Sequence, residues 1–163
     1  MRRLLLRLDR LTTGSAWALA CVLLAIISAL GLWQVLARFV FSQPSTWTEE
    51  SMRRLLIWMV MLGVVVAFRR GALVSVDLML RSSRGAWREA VRWLITGTAL
   101  AYLAVLVWFG INLVTRVRFQ TFASMELSMG WAYGALPVGA ALAMLGVVAN
   151  HLDPLNEELD NAQ

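Results

Sequence analysis

Few residues in this chain could do chemistry, and those that could are mostly arranged as charge pairs. Glu49–Arg53 and Glu50–Arg54 are spaced i, i+4 with the acid N-terminal, the orientation that pairs best along a helix. Such pairs either anchor a helix end at a membrane surface or grip a neighbouring subunit, and paired charges are tolerated there where lone ones are costly. Asp77 reads as a helix-capping or solvated loop acid. The chain has one cysteine, Cys21, and one histidine, His151. A single thiol makes neither an internal disulfide nor a thiol-oxidase pair. A single histidine cannot hold haem between two imidazoles, and the two residues together fall short of the usual zinc ligand set. The expectation is a chain without cofactor, metal or catalytic residues.

Composition explains what these residues are set in. Of 163 residues, 60% are hydrophobic and 15% charged, where soluble domains carry about a quarter. A water-soluble protein this short cannot hide so much apolar surface in one core. The net charge is +5, and all 15 basic residues are arginine. They fall in blocks between apolar runs, which is the pattern of membrane topology and not a nucleic-acid footprint. The chain therefore reads as an all-α integral membrane protein in contact with lipids, with four transmembrane helices and no nucleic-acid partner.

Residues 1–14 put Leu4, Leu5, Leu8 and Leu11 on one helical face and Arg3, Arg7 and Arg10 on another. This predicts a short amphipathic helix on the membrane surface. The apolar run behind it is too long for a signal-peptide core, so it is expected to stay uncleaved. That run is the first span, about 15–37, with Trp17 and Trp33 near its ends. Pro44 disfavours helix at Gln43, and Thr46 with Glu49 fits a capping box. A second span should therefore begin near Trp47 and run to about 68. Its uncharged part, Leu55–Phe68, covers only about 21 Å, so the turns bearing Glu49, Glu50, Arg53 and Arg54 must sit at the outer interface or slightly inside it. The loop from Arg69 to Arg92 holds six arginines, and its apolar stretch Leu73–Leu80 is expected to form a short interfacial helix. The third and fourth spans are about 93–115 and 130–149, the latter kinked by Pro137. The whole chain reads as a single membrane domain.

Ten arginines lie in the N-terminal arm and the 69–92 loop, against five on the other side. This bias places both termini in the cytoplasm. Ion-coupled carriers usually bury a carboxylate or unwound backbone at the bilayer midplane. No span here holds an acid in its central part, which points to an accessory subunit. Gly130 and Gly134 form a GxxxG motif, continued by Gly139, Ala143 and Gly146, and Gly63 with Ala67 repeats the spacing in span two. Such faces admit a second helix closely, either from this chain or from a partner. The tryptophans read as interface anchors.

The order of residues Arg38, Phe39, Trp47, Glu49, Glu50, Arg54, Leu56, Ile57, Trp58, Gly63, Gly71, Val76 and Asp77 resembles the small permease subunit of TRAP transporters, the DctQ-type family. Trp131, Tyr133, Leu136, Pro137 and Gly139 are similar to the family's fourth-span pattern. Leu73 and Val74 stand where family members often carry His-Ile, so no role for that histidine carries over. The resemblance implies a large permease subunit as partner, which carries substrate and sodium, and a periplasmic substrate-binding protein that delivers an organic acid. The small subunit would brace the large one in the bacterial inner membrane. The alternatives are the four-span subunit of a tripartite tricarboxylate-type carrier, or an independent homo-oligomeric exporter, which would need a buried titratable group.

Overall fold

The computed structural model describes residues 2–43, 45–70, 86–120 and 128–153. Its elements are α1 (Arg2–Phe39), α2 (Thr46–Arg70), α3 (Ala86–Val117), α4 (Met129–Tyr133) and α5 (Ala135–Leu152). Four stretches are long and apolar enough to cross a bilayer: Leu8–Phe39, Thr46–Arg70, Trp87–Val117 and Met129–Leu152. The expected all-α fold with four membrane-spanning helices is thus observed. The predicted interfacial helix at 73–80 lies outside the described residues.

The N-terminal arm departs from expectation. It is not a separate surface helix, because α1 continues through Gly14 without a break. Hydroxyl groups at the junction stabilise continuity by bonding back along the helix: Thr12 to Leu8 O and Asp9 O, and Ser15 to Thr12 O. One glycine costs a helix only about 1 kcal/mol, too little to end it here. At 1.5 Å per residue α1 is about 57 Å long, nearly twice a hydrocarbon core of about 30 Å, so it must tilt steeply or project beyond the bilayer. Its far end closes at Ser42, in the left-handed region with φ 53°, and Gln43 N–H returns to Ala37 O at 3.0 Å.

The second helix begins at Thr46, one residue before the predicted start, and Glu49 turns its carboxylate to Arg53. The fourth span is in two pieces. Pro137 has no N–H to offer Tyr133 O, and the helix breaks at Gly134, which leaves Pro137 in the first turn of α5 where no donor is needed.

The helices form an open row more than a closed bundle. α2 packs between α1 and α5, and α1 also touches α5. α3 packs on α4 and α5, and among the described residues it meets neither α1 nor α2. The core is made where α2 and α5 cross: Met61, Leu62, Val65 and Val66 lie against Ala135, Ala140, Ala143 and Val147, with Leu103 and Ala16 closing the sides. Small side chains on α5 bring the backbones close enough for dispersion contacts that lipid cannot match.

Candidate functional site

The two charge pairs on α2 are alike in sequence and unlike in structure. Arg53 Nη2 lies 2.6 Å from Glu49 Oε1, with side chains 76% and 54% exposed. Arg54 Nη2 lies 3.4 Å from Glu50 Oε1, with exposures of 7% and 17%. The helix turns about 100° per residue, so Arg54 faces into the protein while Arg53 faces away. An exposed pair is worth at most about 1 kcal/mol, whereas removing one member of a buried pair costs about 3 kcal/mol or more. Glu50→Ala should accordingly lower the melting temperature in detergent, Glu49→Ala should leave it nearly unchanged, and Glu50→Ala combined with Arg54→Ala should cost less than Glu50→Ala alone. Equal melting temperatures for all three would refute the burial argument.

Two further polar clusters lie at the opposite end, where α1 starts and α2 and α5 finish. Arg69 Nε pairs with Asp9 Oδ2, and both side chains are buried. Thr13 Oγ1 donates to the other Asp9 oxygen at 3.2 Å, and Arg69 Nη1 donates to Asp153 O at 2.9 Å. On α3, Arg92 donates to His151 O. Arginines from two helices therefore cap the last carbonyls of α5, where the helix dipole favours positive charge. Thr96 Oγ1 donates to Arg92 O at 2.9 Å and lies 2.9 Å from His151 Nδ1. The hydroxyl has one proton for these two neighbours, and the histidine tautomer sets which way the Thr96–His151 bond runs. The imidazole also packs on the Trp93 ring at 4.4 Å. These contacts tie α1, α2, α3 and α5 together at one end.

The small-residue stripe of the fourth span is turned inward. A Cβ on Gly139 would stand 2.6 Å from Met61 Cβ, and one on Gly146 would stand 3.4 Å from Val65 O and 3.5 Å from Arg69 Cβ. Gly130 lies against the Arg118 backbone, and Gly134 against its own helix at Gly130 O. Pro137 seats its ring over Gly110 of α3, where an added Cβ would be 3.0 Å from Pro137 Cδ. Gly130, Gly139 and Gly146 thus pack within the chain. Gly63 differs: nothing lies within 4 Å of its Cβ position, and it faces outward.

Trp58 is half-buried. Its Nε1 donates to Trp131 O at 3.3 Å, and the two rings pack at 5.7 Å. Trp47 is exposed. Asp77 lies outside the described residues. Of the predicted set, then, Trp58, Gly130, Pro137 and Gly139 lie against other parts of this chain, Arg54 is buried with Glu50 beside it on α2, and Gly134 meets its own helix, while Trp47, Glu49, Arg53 and Gly63 face outward. Sequence reasoning missed Asp9, Arg69, Arg92 and His151 as a structural set. The one signal for Asp9 was that it is the only acid in an arm of four arginines. Among the described residues no three of His, Cys, Asp or Glu cluster as metal ligands, and the acids there, Asp9, Glu49, Glu50, Glu89 and Asp153, all lie at or near helix ends.

Comparison with known proteins agrees with this layout. The family model of the tripartite ATP-independent periplasmic transporters, DctQ component, matches residues 27–156. The chain is 29% identical over 128 residues to a sialic acid TRAP transporter permease protein, SiaT, of Haemophilus influenzae, covering 78% of this chain and 21% of that protein. The chain thus spans about one fifth of that relative's length. It is 25% identical over 117 residues to the sialic acid TRAP transporter small permease protein SiaQ of Vibrio cholerae, covering 72% of this chain and 68% of that one. Four apolar helices, charges held at their ends and a family match across most of the chain lead to one conclusion: this is a multi-pass membrane protein of the DctQ family, the small permease components of TRAP transporters.

Proposed function

We propose that this chain braces a large permease subunit in the bacterial inner membrane, in a sodium-coupled uptake system that receives an organic acid from a periplasmic binding protein. Both termini face the cytoplasm, as the arginine bias requires. The carrying observation is where the charge lies. Every described acid is at or near a helix end, and the deepest of them are already engaged with arginine. A chain with no acid at mid-depth is poorly equipped to bind a cation or drive a carrier cycle, and well equipped to serve as scaffold. The relatives named for sialic acid, itself an organic acid, support the substrate class. Trp47, Glu49, Arg53 and Gly63 are the members of the predicted set left free to meet the large subunit.

Affinity purification of the tagged chain from native membranes tests this reading. It should bring down a much larger multi-span membrane protein at equal stoichiometry. Recovery of this chain alone, or as a self-sufficient oligomer that moves solute in liposomes, would refute it.

A further inference from the structure

The spans carry few outward polar side chains, and most deal with lipid in one way: they bond back to their own helix. Ser28 donates to Leu24 O, Thr98 to Leu94 O, Asn112 to Trp108 O and Thr115 to Asn112 O, at 2.8–2.9 Å. That satisfies the group without a neighbour. Tyr102 of α3 cannot do this, because a phenol stands too far from its own backbone. It is 59% exposed, and among the described residues nothing bonds to its hydroxyl. It also sits deep. It stands ten positions after Arg92 and fourteen before Arg116, or about 15 Å and 21 Å along the helix. Tyrosine is normally found at the headgroup level, where water and lipid carbonyls accept its proton, and acyl chains offer no acceptor.

We propose that the outward face of α3 around Tyr102, with Thr98, Val105 and Phe109 at helical spacing, packs against a transmembrane helix of the large permease, and that the Tyr102 hydroxyl donates to an acceptor on it. The proposal rests on the reading above that such a subunit is the partner. Three observations favour this occupant. Lipid tails lack the acceptor that an outward-facing phenol at this depth requires. Among the described residues α3 is the edge of the row and packs only on α4 and α5, so an added helix continues the row. And in the permease relative from Haemophilus influenzae the matched segment is about one fifth of a longer protein, so four-fifths of that polypeptide is joined to a unit like this one.

Tyr102→Phe removes one oxygen and no bond among the described residues, so its melting temperature should match the parent. Its co-purification with the large permease under detergent titration should fall by roughly three- to tenfold, the worth of one hydrogen bond between membrane helices. The photoreactive analogue p-benzoylphenylalanine at Val105 should give an adduct with the large permease. If the parent chain brings down no large permease, the reading of its partner fails. If the parent does and Tyr102→Phe binds equally well, this inference alone fails. It fails equally if the Val105 probe yields a dimer of this chain or lipid adducts only.

Discussion

Arg69→Ala is expected to destabilise the isolated chain by about 3–5 kcal/mol, the loss seen when one partner of a buried ion pair is removed. The Arg69 guanidinium is 6% exposed and the Asp9 carboxylate 4%. Removing the guanidinium leaves the Asp9 carboxylate with Thr13 as its remaining side-chain partner among the described residues, and strips the donor from Asp153 O at the end of α5. Asp9→Asn should be costly for the mirror reason, since it leaves a cation in the same confined place. Combining Asp9→Asn with Arg69→Gln removes both charges and keeps donors and acceptors, so it should lose less than the sum of the single changes by about 1–3 kcal/mol. Reversible unfolding in mixed detergent micelles measures all three. Single substitutions each within about 0.5 kcal/mol of the parent would show that the clamp does not hold the helices.

Gly139→Ala should destabilise where the same change usually stabilises. In a helix interior alanine is worth about 1 kcal/mol more than glycine. At this position the new methyl would lie 2.6 Å from Met61 Cβ, and that atom is fixed to the α2 backbone, so rotation of the methionine cannot relieve the clash. Separating α2 from α5 costs about 1–3 kcal/mol as overpacking, which outweighs the propensity gain. Larger residues at 139 should cost more. A melting temperature for Gly139→Ala at or above the parent would show that this contact is looser than described. Gly63→Ala is the internal comparison: its Cβ meets nothing, so the isolated chain should tolerate it.

These two sites also show what could be read from residues alone. The spans were legible because length and apolarity decide membrane crossing, and both are properties of a single segment. The end of α1 and the start of α2 were nearly so, since Pro44 and the acids after it act locally. The i, i+4 pairs were visible, but not that Glu50–Arg54 turns inward and Glu49–Arg53 outward. α2 is apolar nearly all round below its first turns, so no periodic face announced its rotation. For the same reason the sequence could not say that Gly139 packs within the chain while Gly63 faces away. Asp9 and Arg69 are 60 positions apart, and their meeting depends on how two helices dock, which local pattern does not encode. The arm of residues 1–14 misled because amphipathic spacing fits a surface helix and the first turns of a long span equally well. The arrangement around His151 was hidden because one histidine at a helix end carries no spacing information.

Binding-protein-dependent uptake in cells that lack only this chain tests the central claim most directly. Cells retaining the large permease and the binding protein should lose organic-acid accumulation, and a plasmid copy of this chain should restore it. Uptake that continues at the parental rate without the chain would contradict the account.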